Sequence, residues 1–429
     1  MNRIFQTLRR RGGLFLIRFG VIGAQLLVLL VLASLMQRSE FGAFAYGWAS
    51  IQLVSALISL GGPGYLLREM SARQAGPEHG PALLQVLLIA SAGPAVLAFG
   101  AWFIIRGLIS HDLLPLASPD FALVIVLGGW LNNLVANIAV PIRVSGAANT
   151  AMFYRDGLGH LIVLASGFAV AAAYPTVSAL RVLEGYCALA VLVVGAGLLI
   201  AALRARSAAY FGNGKQPFNL AFWGSGLTAM LAAQIDILIG GLFLTPAHLG
   251  SYQILRKAAN LLSLPQIIAN WSIAVEASRA FASGDRIALK ESAREGLTIA
   301  LVPAFALGVT LLLASPALFS WYHIPVDAQS LMTFLVLTMG GLANVGFGAN
   351  FLIAAQCRLE HLALRARLIA LVAGSALLAS LSPALGITGV AVAMATSTIL
   401  MNVLIWLDVQ RRLGVDTSIF SLFSHRTQT

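Results

Sequence analysis

Long apolar runs alternate with short polar breaks along almost the whole chain. A helix needs roughly 20 apolar residues to cross a hydrocarbon layer of about 30 Å. The pattern predicts twelve such helices, over residues 14–36, 41–66, 82–105, 120–142, 158–174, 182–203, 220–244, 249–275, 297–317, 329–355, 366–384 and 387–407. That is an all-α, polytopic membrane architecture. The polar breaks are too short to house a soluble catalytic domain, so any function lies among the helices.

Composition supports a membrane solvent. The 429 residues are 59% hydrophobic and 10% charged, with a mean hydropathy of +0.87. A soluble domain carries about 25% charged residues. The 41 glycines suit close helix approach in lipid. The first run follows Arg3, Arg9, Arg10 and Arg11 and so imitates a signal peptide. It is longer than a typical apolar signal core of about 7–15 residues and is read as an uncleaved first span.

Charge sets the expected orientation. Alternate loops hold Arg68 and Arg73; Arg143 and Arg155; Arg204, Arg206 and Lys215; Arg279, Arg286, Lys290 and Arg294; Arg358, Arg365 and Arg367. The opposite loops hold only Arg38, Arg106 and Arg181. Cationic loops stay on the cytoplasmic side. Both termini are therefore expected in the cytoplasm of a bacterial cell, with the chain in its inner membrane. The net charge of +11 is explained by this anchoring, and nucleic acid is not expected as a partner. Trp321 and Tyr322 fall at an expected outer edge and Trp406 at an inner one, as interfacial rings do. Cys187 falls in a span and Cys357 in a loop, too far apart in the pattern to read as a disulfide or a metal site.

An internal repeat divides the pattern. The stretch Ser39-Glu40-Phe41-Gly42-Ala43-Phe44-Ala45-Tyr46 is similar to Ala247-His248-Leu249-Gly250-Ser251-Tyr252 at a constant offset. The two halves are expected to be six-helix lobes, 1–213 and 214–410, followed by a short polar cytoplasmic tail, 411–429. Six is even, so the lobes would share one orientation, as in transporters with parallel repeats whose substrate sites lie between the halves.

Charges within spans are few. Asp236 is the one carboxylate well inside a span. With the turn near Pro246 as the outer end of a hairpin, Asp236 and Arg256 lie at about the same depth. A lone charge in hydrocarbon costs at least about 2.5–3.5 kcal/mol and faces a partner or a wet cavity. Whether Asp236 pairs with Arg256 or carries a coupling ion stays open at this point. Along the eighth span Gln253, Arg256, Lys257, Asn260 and Asn270 form a polar stripe at helical spacing, interrupted by Pro265, which is expected to kink the helix. Such a stripe must face protein or water. Arg18 and Gln25 share a face of the first span; Asn132, Asn133 and Asn137 cluster in the fourth, and Asn344 and Asn350 lie in the tenth. Asparagines also glue membrane helices together, and Arg18 can snorkel to the headgroups. The cations outnumber the one deep carboxylate, which favours an anionic substrate such as a phosphate or pyrophosphate, a group that arginine binds in bidentate fashion.

Several chemistries are missing from the sequence. It has no Walker A loop, no His-Glu-x-x-His and no Gly-x-Ser-x-Gly. The seven histidines are scattered. No metal or organic cofactor is expected, and the chain is not expected to be an enzyme.

The run Gln234-Ile235-Asp236-Ile237-Leu238-Ile239-Gly240, then Leu249-Gly250-Ser251-Tyr252, Arg256-Lys257, Pro265 and Ala282-Ser283-Gly284-Asp285 resembles the bacterial polysaccharide flippases. The arginine-rich start and the Phe41-to-Tyr46 hairpin are similar to that family too. These proteins belong to the multidrug/oligosaccharidyl-lipid/polysaccharide exporter superfamily, and the O-antigen translocase type usually has twelve spans. The resemblance implies two six-helix lobes around a central cavity that opens to each side in turn. It implies undecaprenyl-pyrophosphate-linked oligosaccharide as substrate, moved from the inner to the outer leaflet, and other membrane proteins of polysaccharide assembly as partners. Many relatives have a more polar seventh span than this one, where Gln234 and Asp236 remain, so coupling to H+ or Na+ is left open. Three alternatives stand beside this reading. A multidrug or organic-cation exporter of the same superfamily would present more acid than base to its cavity. A lipid II flippase would usually have two more spans. A membrane polysaccharide polymerase or glycosyltransferase would need a large outer loop or an acidic metal-binding cluster.

Overall fold

The computed structural model describes residues 20, 23–25, 27–64, 66–67, 83–110, 118–145, 147–204 and 220–423. Among them every regular element is helical. The helices are α1 (Gly23–Leu35), α2 (Arg38–Ile58), α3 (Leu83–Ser110), α4 (Pro119–Val144), α5 (Thr150–Ala173, with a π-helical turn at Phe153–Gly157), α6 (Ala179–Arg204), α7 (Leu220–Phe243), α8 (Pro246–Ala259), α9 (Ser263–Ala282), α10 (Arg286–Leu313), α11 (Ser315–Trp321), α12 (Ala328–Gly346), α13 (Asn350–Gln356) and α14 (Glu360–Leu413). Eight helices among the described residues are long and apolar enough to cross a membrane, or nine if the bent pair of α8 with α9 is one span. The protein is a multi-pass membrane protein. Its exposed side chains include Val302, Phe305 and Leu313 along α10, an apolar surface of the kind that meets lipid.

Two of the predicted boundaries have clear local causes. The element α14 runs for 54 residues but contains Gly386 at φ 60°, ψ −137°, a conformation that glycine adopts far more readily than other residues. Ser397 Oγ donates to the carbonyl of Ala370 at 2.8 Å, so the halves fold back alongside one another as two passes. The freed groups at the turn are satisfied: Gln329 Nε2 donates to the Leu385 carbonyl at 3.1 Å. The predicted break between residues 384 and 387 lies here. At the expected kink before Pro265, the chain turns through a 3-10 segment, Asn260–Leu262. Proline has no N–H for the carbonyl four residues back, here that of Leu261. The start of α12 is set by Asp327, whose carboxylate accepts from Ser330 N at 2.7 Å. That bond holds the Asp327 carboxyl below its ordinary range.

The chain forms two compact units, Met1–Gln234 and Ile235–Thr429. The boundary falls within α7. In unit 1 the core is built by α2, α4 and α6: Phe41, Phe44, Ile51, Ile138 and Leu183 are buried, and Trp48 meets Tyr186 edge-on at 5.0 Å. Glu40 of α2 accepts from the Ala179 N–H at 2.7 Å, placing a carboxylate at the start of α6, where the helix dipole favours it. In unit 2 a core of Ile273, Leu289, Ile353, Leu362, Ile405 and Val409 joins α9, α10, α13 and α14. The residues expected as a polar tail contribute to it, because Gly414 at φ 66° caps α14 and Val415 is buried in that core.

Candidate functional site

Among the described residues, Asp236 is a charged group with no exposed surface. The α7–α8 turn positions it. Thr245 caps α8, its hydroxyl accepting from His248 N, and Pro246 takes the first turn, where a missing N–H costs nothing. Asp236 and Arg256 are then equally distant from Pro246 along antiparallel helices. Arg256 Nε lies 2.8 Å from Asp236 Oδ2. Tyr252, one helical turn before Arg256 on the same face, donates its hydroxyl to the same oxygen at 2.7 Å. Arg256 also donates to Gln253 Oε1 at 3.2 Å. Asp236 Oδ1 is buried with no hydrogen-bond partner.

Lys257 follows Arg256, half-buried. Among the described residues it makes no hydrogen bond or ion pair. One carboxylate thus stands beside two cations, and the cluster is cationic by one unit. A buried pair is compensated charge; the additional ammonium is not, and it is the group with donors to spare. Asn260 lies on the surface at the 3-10 turn, and Asn270 is half-buried with Oδ1 unpartnered. The turn breaks the α-helical register between them, so the expected stripe is continuous only over Gln253, Arg256, Lys257 and Asn260.

A second polar cluster in unit 2 carries no charge. Asn402 Nδ2 donates to Asn344 Oδ1 at 2.8 Å, and Asn344 Nδ2 to Gln266 Oε1 at 2.7 Å. Gln266 Nε2 donates to the Gly348 carbonyl at 2.9 Å, and Asn350 Nδ2 to Asn402 Oδ1 at 3.0 Å. These amides link α9, α12, α13 and the second pass of α14. The sequence pattern pointed to Asn344 and Asn350 but not to Gln266, Asn402 or Tyr252. Tyr252 carried one signal, its four-residue spacing from Arg256.

The candidates from the first half of the chain belong to unit 1. Asn132 Nδ2 donates to Ser55 Oγ at 3.0 Å. Asn137 Nδ2 donates to the Asn133 carbonyl at 3.0 Å, while Asn133 Nδ2 and Asn137 Oδ1 are buried without partners. Gln25 donates to the Asp156 carbonyl at 3.3 Å. Arg18 lies outside the described residues. The structure therefore places these neutral first-half candidates in unit 1 and the charged candidates Asp236, Arg256 and Lys257 in unit 2. Among the described residues, no group of three or more histidine, cysteine or carboxylate side chains is placed to hold a metal ion.

No protein-family model matches the chain, and no curated relative matches it. Solved structures do. An inward-facing multidrug resistance MATE family transporter of the MOP superfamily matches with a TM-score of 0.60 at 12% identity, covering 92% of this chain and 94% of that one. The lipid II flippase MurJ, in an inward closed conformation, matches with a TM-score of 0.61 at 14% identity, covering 95% and 90%. The MATE multidrug transporter DinF-BH matches with a TM-score of 0.59 at 14% identity, covering 94% and 96%. The chain has the all-helical fold that these membrane transporters share.

Proposed function

We propose that this protein is a flippase that moves undecaprenyl-pyrophosphate-linked oligosaccharide, an O-antigen or exopolysaccharide repeat unit, from the inner to the outer leaflet of the bacterial cytoplasmic membrane. In this reading twelve spans form two six-helix lobes, 1–213 and 214–410, that open to each side in turn, and both termini are cytoplasmic. The fold supports transport and is shared with a lipid II flippase. The observation that carries the anionic substrate is the balance at α8: Asp236 answers Arg256, and Lys257 is left over. A pyrophosphate supplies the oxygens that such cations bind. The chain acts on its substrate by binding and reorientation rather than by breaking bonds. Whether H+ or Na+ drives the cycle would depend on Asp236 Oδ1, the unused oxygen.

The competing reading is a multidrug exporter, since two of the matched structures carry that description. Purified protein in proteoliposomes separates them. Leaflet exchange of a fluorescent pyrophosphate-linked oligosaccharide lipid is expected, with no accumulation of a cationic rhodamine dye. Rhodamine accumulation without lipid exchange would overturn the flippase reading.

A further inference from the structure

We propose that residues Ile419–Phe423 form a rigid foot that rests on the membrane surface and binds anionic lipid headgroups beside the last transmembrane pass. The foot requires only the membrane-spanning character of the chain and does not depend on the substrate.

Its depth is set by the final pass, which carries no charged residue from Ile387 to Leu407 and then meets Asp408. That stretch is about 31 Å long at 1.5 Å per residue, the thickness of a hydrocarbon core. Trp406 sits at its end, where indoles favour the headgroup boundary. Gly414 then reverses the chain. The returning strand is tied back to that level, because Trp406 Nε1 donates to Asp416 Oδ1 at 2.8 Å. The same oxygen accepts from Ser418 N at 2.9 Å and from Ser418 Oγ at 2.6 Å. Val415, Thr417 and Ser418 are buried. The strap is thus fixed within hydrogen-bonding distance of an interfacial ring.

The segment after the strap faces outward. Ile419–Leu422 is a 3-10 turn. Phe423, the residue after the turn, lies three after Phe420 and its N–H donates to the Phe420 carbonyl at 3.1 Å; in that geometry residues three apart are eclipsed, so the two rings fall on one side. They are 65% and 74% exposed, on a segment whose preceding residues are almost wholly buried. Two exposed phenylalanines held at the boundary plane have lipid within reach. Arg411 and Arg412 close the last turn of α14 and are exposed. Each cation near an anionic leaflet contributes about 1 kcal/mol of attraction. Two exposed aromatic rings on the strap and two exposed arginines at the end of the helix it folds back from match acyl chains and phosphates, and charge complementarity selects an anionic headgroup over a second copy of the chain.

The test uses full-length protein with Cys187 and Cys357 replaced by alanine, reconstituted into vesicles. An environment-sensitive fluorophore is attached at Phe423→Cys, at Phe420→Cys in a second variant, and at Arg286→Cys as an exposed control. Lipids brominated near the headgroup should quench the probes at 423 and 420 at least twofold more than the probe at 286. Quenching should rise when phosphatidylglycerol is added to phosphatidylcholine, and that rise should vanish with Arg411→Gln plus Arg412→Gln. Aqueous iodide quenching at 423 and 420 equal to that at 286 would overturn the foot. Equal bromolipid quenching in both vesicle types would overturn the choice of anionic lipid. Cross-links between 423 positions of two copies would assign the face to self-association instead.

Discussion

The two stretches that the sequence pairs as a repeat carry opposite chemistry at matching offsets. At the offset that pairs Phe41 with Leu249 and Gly42 with Gly250, Phe44 corresponds to Tyr252, Trp48 to Arg256 and Val28 to Asp236. In unit 1 these positions are apolar and buried, with Phe44 and Trp48 stacked at 6.3 Å. In unit 2 they form the Asp236–Tyr252–Arg256 cluster. A packing role alone is met by the first set, at no electrostatic cost. Retaining a charged set where an apolar one fits is weak evidence for stability, because buried pairs seldom outperform well-packed apolar groups. The difference points to use of the charge.

Breaking the ion pair should have the largest effect. Asp236→Asn leaves Arg256 without its charge partner, and removing one member of a buried pair costs about 3–5 kcal/mol. The variant should be scarce in membranes and melt early in detergent. Adding Arg256→Gln should recover most of that loss. If the double variant is no more stable than the single, the pair is not the structural unit described. Asn402→Ala comes next. It removes the donor to Asn344 Oδ1 and the acceptor of Asn350 Nδ2, which keeps its bond to the Asn402 backbone carbonyl; a buried group left unsatisfied costs about 1–3 kcal/mol. A fall in thermal stability with unchanged substrate affinity is expected; unchanged stability would contradict the amide network. Asn132→Ala in unit 1 should be smallest. Interhelical hydrogen bonds in membranes average about 0.6 kcal/mol, and among the described residues Asn132 donates to the Ser55 side chain. A double-mutant cycle with Ser55→Ala measures the coupling. A value near that of the ion pair would erase the contrast between the units.

Much of this was legible in the sequence because membrane burial writes itself as long apolar runs, and turns write themselves as proline and glycine. The equal depth of Asp236 and Arg256 was legible, since an antiparallel hairpin about Pro246 brings equidistant residues level, but that they pair was not. Tyr252 was harder, because a tyrosine in an apolar helix reads as packing until its hydroxyl is seen to have a partner. Gln266 and Asn402 were invisible for a different reason. Each is a single amide in its own span, and only the three-dimensional arrangement of α9, α12 and α14 makes them neighbours. The burial of Val415 and Thr417 was hidden by composition, since a short polar segment gives no sign of the strap that Trp406 and Asp416 hold in place.

The most direct test of the account is flipping by Lys257→Gln. Lys257 has no partner to abandon among the described residues, so abundance and melting temperature should match the parent protein. Losing one charge-assisted contact worth about 1.5–3 kcal/mol should slow exchange of pyrophosphate-linked oligosaccharide lipid by roughly 10- to 100-fold, at about 1.4 kcal/mol per factor of ten. Lys257→Arg should retain most of the rate. Parent-level flipping by Lys257→Gln would contradict the claim that the surplus cation of unit 2 receives the anionic substrate.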